Sequence, residues 1–241
     1  MMRLRTLRLT LGIVAGVCGI AAMAAAPPAP VSVPDTLAQR LQPCMACHGA
    51  QGQAGREGYL PRIAGKPAAY LYQQLINFRD GRRSNAAMAG LLAYQSDAYL
   101  REIAGHFAAL DLPHKPPPAP TANAAVLARG QQLALQGDRE RKLPACTACH
   151  GTALTGSLQA VPGLLGLPRD YLIAQLGAWQ TGTRQALAPD CMAQITRRLA
   201  PDDVSAVAAW LAAQPVPPGP AASTTANKDT GLRCGSIEAA R

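Results

Sequence analysis

The sequence predicts an all-α protein made of two tandem helical domains of the same design. One observation behind this prediction is an internal repeat, because the second half of the chain copies the first at a nearly constant offset. A second observation is that apolar residues recur at helical spacing in each copy. A third is that no segment alternates between apolar and polar residues as a half-buried strand does, so we expect no substantial sheet.

Residues 1–26 are typical of an export signal peptide. Three arginines give a positive start, and the apolar run of residues 9–23 ends among alanines. We expect cleavage at about residues 24–26, which would leave the mature protein in the periplasm. The alternative is an uncleaved membrane anchor, but a spanning helix needs ~20 apolar residues and this run is shorter.

The composition argues against a nucleic-acid-binding protein. The chain has 23 Lys and Arg against 14 Asp and Glu, a formal net charge of +9. Three of the arginines lie in the signal peptide, and the remaining basic residues do not form the clustered face of a nucleic-acid binder. We therefore expect a mildly basic mature protein that binds no nucleic acid.

The repeat is clearest around a cysteine motif and a methionine. Residues 44–49 match residues 146–151 at an offset of 102, and Met88 matches Met192 at an offset of 104. At an offset of 101, the residues Pro61, Gly65, Pro67, Tyr70, Leu71, Gln74, Leu75, Gly81 and Arg83 match Pro162, Gly166, Pro168, Tyr171, Leu172, Gln175, Leu176, Gly182 and Arg184. Each change of offset indicates a small insertion or deletion in a loop.

These matches place the first predicted domain at residues 35–112 and the second at residues 122–214. Residues 113–121 form a Pro-rich linker, which we expect to be extended and semi-rigid because proline fixes φ and lacks an N–H donor. Residues 215–241 combine Pro-rich and polar stretches and are predicted to be a flexible tail.

Several predicted helices have recognisable ends. Pro67 favours the first turn of one helix and Gly81 its end, and Ser96 can cap another that runs to about residue 110. The segments that contain Met88 and Met192 are predicted to be loops before the last helix of each copy. The remaining predicted helices are residues 36–42, residues 124–137, one that begins at Pro168 and one at about residues 200–213.

The motif Cys-x-x-Cys-His occurs once in each copy, at residues 44–48 and 146–150. It is the attachment motif for c-type haem. Two thiols at this spacing can reach the two vinyl groups on one edge of a porphyrin, and the adjacent histidine can bind the iron. We therefore expect two covalently bound haem c groups. The predicted thioether residues are Cys44, Cys47, Cys146 and Cys149.

The alternatives for these cysteines are a structural zinc site or a redox pair. Zinc normally takes four Cys or His ligands, whereas each copy offers one Cys-x-x-Cys. A thioredoxin-like pair would need a βαβ context, which the pattern lacks. An aromatic content of 4% also favours haem, because a large planar cofactor would supply apolar bulk in each core.

Elimination indicates the axial ligands of both irons. After the signal peptide, the methionines are Met45, Met88 and Met192. Met45 lies inside the attachment loop and cannot reach the face opposite the histidine. Met88 and Met192 follow His48 and His150 by 40 and 42 residues. We therefore expect two His/Met pairs, although methionines can also serve as flexible core fillers.

These ligands predict an electron carrier and not an enzyme. With His and Met both bound, neither iron has an open position for oxygen or peroxide. The soft thioether favours Fe(II) and so raises the reduction potential. A di-haem peroxidase is the alternative from another class, and it would need one iron with an open position.

The motifs resemble the di-haem cytochrome c4 family over about residues 35–213. The resemblance rests on the two Cys-x-x-Cys-His-Gly motifs and on residues 59–67, 70–83 and 85–88, which the second copy repeats more loosely. It implies a periplasmic carrier with two class I cytochrome c domains. It also implies an exposed haem edge in each domain, transfer between the haems, and delivery of electrons to a terminal oxidase.

Two features depart from the family pattern. The second copy has three additional residues before Met192, and the tail contains Cys234. Once Cys18 and the four haem cysteines are set aside, Cys191 and Cys234 form an even pair in an oxidising compartment. They form either a disulfide, which would tie the tail across the distal side of the second haem, or two free thiols.

The sequence allows two kinds of electron donor and several roles for four arginines. The donor is either a quinol-oxidising complex, for a soluble shuttle, or a periplasmic dehydrogenase to which the chain belongs as a cytochrome subunit. A membrane-bound partner or an uncleaved signal would place the protein at the membrane. Arg79, Arg82, Arg83 and Arg184 precede the methionines and could pair with haem propionates, dock an acidic partner or simply be solvated.

Overall fold

The computed structural model describes residues 34–54, 58–157, 160–218 and 230–240. The predicted signal peptide lies outside the described residues, and so do residues 219–229 of the predicted tail. The residues from Thr36 onward form one compact unit.

The described residues are mainly helical, which confirms the predicted all-α class. A short antiparallel pair joins β1 (Gly156–Ser157) to β2 (Val161–Pro162). A 3₁₀ turn occupies Ala50–Gly52. The helices are α1 (Leu37–Arg40), α2 (Gln42–His48), α3 (Ala68–Arg79), α4 (Ala86–Leu92), α5 (Asp97–Ala108), α6 (Ala124–Leu135), α7 (Thr147–His150), α8 (Arg169–Thr181), α9 (Cys191–Thr196), α10 (Pro201–Ala212) and α11 (Gly235–Glu238).

Side-chain caps and prolines explain where the longer helices begin. The Ser96 hydroxyl accepts a hydrogen bond from the Tyr99 backbone N–H at the start of α5. The Asn123 side chain does the same for the Val126 N–H of α6. Pro67 immediately precedes α3. Such caps satisfy backbone donors that have no partner within the helix.

The chain builds two separate hydrophobic cores, one in each copy of the repeat. In the first half, residues 36–112, α3 packs on α5 and Phe107 is almost fully buried. In the second half, residues 122–214, α10 packs on α6 and α8. The buried residues of the first core are Leu41, Leu71, Phe78, Leu92, Leu100, Ile103, Ala104 and Phe107. Those of the second core include Leu133, Leu143, Tyr171, Leu172, Val204, Val207 and Leu211.

The prediction that Met88 and Met192 lie in loops is wrong. Met88 lies in α4 and Met192 in α9, helices of seven and six residues. The Asn85 side chain accepts a hydrogen bond from the Met88 N–H at 3.0 Å, and the Asp190 side chain accepts one from the Ala193 N–H at 3.0 Å. These caps favour a helical turn in segments that are too short to show a helical period.

The two halves contact each other directly. Arg83 and Arg184 form an isolated antiparallel bridge, and the Gln185 N–H donates to the Arg82 carbonyl at 2.6 Å. The predicted linker has no helix or strand from residue 110 to residue 121. Arg62 holds its start, because the guanidinium donates to the carbonyls of Leu112 and Pro113.

Among the described residues, no helix combines the length and apolar character needed to cross a membrane.

Candidate haem sites

Each Cys-x-x-Cys-His motif forms a helix that ends at its histidine. In the first half α2 ends at His48, and Gly49 then takes a positive φ of 77°. In the second half α7 ends at His150, and Gly151 has a φ of 84°. Glycine tolerates this left-handed turn, which lets the chain leave the helix directly after the histidine. Both imidazoles are buried.

A proline carbonyl orients each imidazole. The Nδ1 atom of His48 lies 2.8 Å from the Pro61 carbonyl oxygen, and that of His150 lies 2.7 Å from the Pro162 oxygen. Because a carbonyl only accepts hydrogen bonds, Nδ1 carries the proton at both sites. Nε2 is then left as the nitrogen that can bind a metal.

Burial also favours the neutral imidazole that metal binding needs. Loss of hydration lowers the pKa of His48 and of His150, and the proline carbonyls offset this only in part. A neutral imidazole keeps the lone pair on Nε2 at neutral pH.

The two proline carbonyls are functional groups that sequence reasoning missed. Pro61 and Pro162 match each other in the repeat at an offset of 101. That match was the signal that could have revealed them. It could not show that their oxygens face the histidines, because this depends on how the loop folds back onto the motif.

One mainly apolar cavity, lined mostly by the second half, brings the predicted ligands of that half together. Its lining includes Cys146, Cys149, His150 and Met192. Apolar side chains from α8 and α10 complete the wall, namely Tyr171, Leu172, Leu176, Val207 and Leu211. The structure thus places all four predicted binding residues of this half around one space.

Two of the four predicted binding residues of the first half pack against the first hydrophobic core. Cys44 and Met88 pack against the first hydrophobic core, and Met45 packs there as well. His48 is buried at the end of α2. Cys47 is exposed.

The cysteine environments do not suit a redox pair. Burial raises the pKa of Cys146 to about 11, and it also raises the pKa of Cys44. A catalytic dithiol needs the opposite shift, since the thiolate is the reactive form. The raised pKa values therefore argue against a catalytic dithiol.

The polar groups around the second cavity fit a haem, which carries two carboxylates. The indole Nε1 of Trp179 is buried without a hydrogen-bond partner and its ring lines the cavity. This N–H can only donate, so a carboxylate oxygen suits it. The guanidinium of Arg184 lies in the same lining and is buried. An apolar cavity with an imidazole, a thioether and N–H groups that can donate to carboxylates matches the needs of a haem.

The four arginines fall into two groups. Arg79 and Arg82 pair locally: Arg79 contacts Asp80 at 2.9 Å and Asp97 at 2.6 Å, and Arg82 contacts Asp80 at 3.0 Å. These pairs raise the pKa of Arg79 and lower that of Asp80. Arg79 and Arg82 therefore have local acidic partners and are not isolated solvated charges.

Arg83 and Arg184 are buried where the halves meet, so they are not solvated helix ends. Arg83 donates to Gln74 at 3.0 Å and to Gln175 at 2.7 Å. Arg184 donates to the same two residues at 3.0 Å and 2.8 Å. The Tyr171 hydroxyl accepts from Arg83 at 3.1 Å. The repeat thus produces a nearly symmetric cluster across the contact.

Cys191 and Cys234 form a disulfide, with their Cα atoms 5.1 Å apart. This confirms the disulfide alternative over two free thiols. Cys234, Ser236 and Ile237 line the second cavity. The end of the chain therefore contributes to the wall of that cavity.

Two buried histidines in Cys-x-x-Cys-His helices, each held by a proline carbonyl within an all-α fold, define a c-type cytochrome. No protein-family model matches the chain. A protein from Thiomonas intermedia named thiosulfate dehydrogenase electron acceptor is 41% identical over 180 residues, which is 75% of this chain and 82% of the relative. Cytochrome c4 of Pseudomonas aeruginosa is 32% identical over 170 residues, which is 70% of this chain and 82% of the relative.

The fold agrees with these relatives. The solved structure of cytochrome c4 from Acidithiobacillus ferrooxidans matches with a TM-score of 0.61 at 28% identity, covering 72% of this chain and 99% of that one. The chain belongs to the cytochrome c4 family. It is an electron carrier with covalently bound haem c, and not an enzyme.

Proposed function

We propose that the chain is a periplasmic di-haem cytochrome that accepts single electrons from a thiosulfate-oxidising dehydrogenase. The observation that carries the di-haem part of this proposal is the duplicated site: each half has a Cys-x-x-Cys-His helix and a buried histidine fixed by a proline carbonyl. A site built twice in this way supports two haems. The proposed thioether residues are Cys44, Cys47, Cys146 and Cys149, and the proposed axial pairs are His48 with Met88 and His150 with Met192.

When bound, haem supplies the one-electron exchange between Fe(III) and Fe(II). The chain's own residues set the conditions. The contact between each histidine and its proline carbonyl fixes which imidazole nitrogen faces the metal. A methionine at the other axial position would exclude small oxidants. The apolar wall lowers the local dielectric, and Trp179 and Arg184 are placed to hold carboxylates.

Two observations support the periplasm as the location. The disulfide Cys191–Cys234 is the kind of bond that persists in oxidising compartments. The expected signal peptide would direct export, and a c-type cytochrome of this family functions outside the cytoplasm.

The names of the relatives favour a dehydrogenase as the donor. Relatives from Thiomonas intermedia and Stutzerimonas stutzeri, at 41% and 39% identity, are both named thiosulfate dehydrogenase electron acceptor. We therefore propose a dehydrogenase of this kind as the electron donor in preference to a quinol-oxidising complex. A terminal oxidase is the proposed onward acceptor.

Stopped-flow reduction tests this function directly. The oxidised holoprotein is mixed with a thiosulfate dehydrogenase and thiosulfate, and haem reduction is followed optically. We expect rapid uptake of two electrons per chain, and little reduction by thiosulfate without the enzyme. Reduction by a quinol-oxidising complex with no response to the dehydrogenase would contradict the proposed donor.

A further inference from the structure

The C-terminal segment, residues 230–240, is packed against the second haem site. The disulfide ties its Cys234 to Cys191, the residue before Met192. The Gly235 N–H donates to the Pro189 carbonyl at 3.0 Å. A Cβ atom on Gly235 would lie only 2.2 Å from the Ala188 carbonyl oxygen, so the two backbones are in close contact. The segment is therefore held at several points and not by the disulfide alone.

The contact surface for this segment is the insertion that breaks the repeat. The second half is three residues longer than the first just before its methionine. Ala188, Pro189 and Cys191 belong to that longer stretch, and all three contact the C-terminal segment. The first copy lacks both features, because it has a shorter loop and is followed by the linker. The two departures from the repeat thus meet at one place.

The segment also borders the cavity at the haem attachment motif. Ser236 and Ile237 line the cavity that holds His150. Cys146 and Cys149 line the same cavity. Both thioethers of a c-type haem join the same edge of the porphyrin, so the segment borders the space next to that edge.

The two attachment motifs also differ in their exposure to solvent. Cys47 and Ala46 are exposed in the first half. Their counterparts Cys149 and Ala148 are only half-exposed. The attachment edge of the first site is open to solvent, whereas that of the second site is partly covered.

We propose that residues 230–240 cap the attachment edge of the second haem, so that external redox partners exchange electrons through the first half. This inference rests on the proposed function, because it requires a haem in each half. The second haem would then exchange electrons mainly with the first. Direct exchange with a partner at the capped edge would be slow, since the segment keeps the partner at a greater distance.

Paramagnetic broadening of the haem resonances by a dissolved probe tests the cap in the intact holoprotein, without any variant. Haem content is first measured, so a chain without two haems would count against the proposed function and not against the cap. A neutral gadolinium chelate is then added to the ferrous protein, and the line widths of the haem methyl resonances of each half are compared. We expect severalfold stronger broadening for the first haem. Equal broadening of both haems would overturn the proposal.

Two variants that share the same residue at position 191 isolate the cap. One is the full-length Cys191→Ser/Cys234→Ser chain, which removes only the tether. The other carries Cys191→Ser and ends at Pro218, which removes the segment together with residues 219–229 and residue 241. In the truncated chain we expect the resonances of the second haem to broaden as much as those of the first. In the untethered chain, the broadening of the second haem should lie between the values for the truncated chain and the intact protein. The first haem should not change. Unchanged broadening of the second haem after truncation would overturn the proposal. If the truncated chain does not fold, the measurement on the intact chain decides the proposal by itself.

Discussion

At the scale of single residues, both proposed haem sites depend on the same contact between a histidine and a proline carbonyl. The Nδ1 to oxygen distances are 2.8 Å at His48 and 2.7 Å at His150. The contact fixes the tautomer and the ring orientation, and a histidine held in this way is a stronger metal ligand. The near-identity of the two distances indicates that both halves retain the same histidine contact.

The methionines provide the first prediction. Replacing Met88 or Met192 by alanine should open one iron of the two, because Met45, the remaining methionine after the predicted signal peptide, lies inside the attachment motif. Each variant should bind carbon monoxide at half of its haem and lower one of the two reduction potentials. Optical titration with carbon monoxide and potentiometry measure these effects.

Met45 offers the matched control for this prediction. It packs on the first core but lies within the attachment motif. Met45→Leu keeps the apolar volume, so it should bind no carbon monoxide and keep both potentials. A Met88→Ala or Met192→Ala protein that also failed to bind carbon monoxide would show that the methionine is not a ligand.

Lys66 provides a second prediction. It belongs to the first half, yet it lines the cavity of the second, and its repeat counterpart is the apolar Leu167. Burial lowers the pKa of Lys66. The pKa of His150 is lowered by burial and, to a smaller extent, by the charge on Lys66. A positive charge near an iron disfavours Fe(III), so Lys66→Met should lower the potential of the second haem more than that of the first.

Potentiometric titration of the two haems checks this effect. Lys115→Met is the control, because Lys115 is an exposed lysine of the linker. Equal potentials in the Lys66→Met protein and the control would contradict a role for Lys66.

The residue types of the sites were predictable from sequence, but their surroundings were not. Cysteine spacing and the few methionines pointed to all eight proposed binding residues. The carbonyls of Pro61 and Pro162 were missed because a backbone acceptor leaves no trace in residue type. Lys66 was missed because its position depends on how the two halves meet.

At the scale of secondary structure, one close helix contact organises the second core. Gly130 of α6 faces α10, and a Cβ atom there would lie 2.1 Å from the Ala206 carbonyl oxygen. Because the obstacle is backbone, Gly130→Ala should force the helices apart. We expect a loss of about 1–3 kcal/mol in the free energy of unfolding, the usual cost of overpacking.

Denaturant unfolding of the holoprotein measures this loss. Gly105 lies in α5 with no atom near its Cβ position, so Gly105→Ala is a matched control. It should be neutral or stabilise by up to about 1 kcal/mol, because alanine favours helix. A Gly130→Ala protein as stable as this control would contradict the close packing of α6 on α10.

Asp203 anchors the start of α10 and gives a prediction on pH. Its buried carboxylate contacts Arg129 at 2.9 Å and also Arg141. Burial acts to raise the pKa of Asp203, but hydrogen bonds from Arg141 and Arg129 outweigh it and the pKa is lowered. A lowered pKa stabilises the fold above the ordinary aspartate pKa and loses that effect as the pH falls through the folded value.

Asp203→Asn should therefore destabilise the protein by about 1.5–3 kcal/mol at neutral pH, the usual worth of hydrogen bonds to a charged group. The loss relative to the native protein should shrink in acid. Thermal unfolding at neutral pH and near pH 3 measures both effects. Asp170→Asn is the control, since the Asp170 side chain is 83% exposed and its pair with Arg169 spans 3.6 Å. A loss in Asp203→Asn that did not change with pH would refute the ion-pair account.

Long helices were predictable, whereas short ones were not. Ser96 and Pro67 marked the starts of α5 and α3 because caps and prolines act locally. The helices α4 and α9 were mistaken for loops because six or seven residues show no period. The pair β1 and β2 was invisible for the same reason, being two residues per strand.

At the scale of the whole molecule, two cores of one design are joined by a polar contact. The repeat predicted the two cores. It did not predict that Arg83 and Arg184 would be buried between the halves, because each looks like a solvated helix end in sequence. Their shared partners Gln74 and Gln175 come from opposite halves. This contact supports the proposed transfer of electrons between the halves, since it holds them against each other.

The end of the chain makes the two halves unequal. Sequence predicted the pair Cys191 and Cys234 as one of two alternatives, and the structure contains the disulfide. That the same segment also lines the cavity that contains Cys149 could not be foreseen, because residues far apart in sequence line that cavity.

The mass of the denatured, exported protein tests the central claim most directly. Covalent haems survive denaturation, so the mature chain should carry the mass of two haem groups. Peptide mapping should locate one on Cys44 and Cys47 and the other on Cys146 and Cys149. A mass without two haems, or haem mapped to only one of the motifs, would contradict the claim that the chain is a di-haem electron carrier.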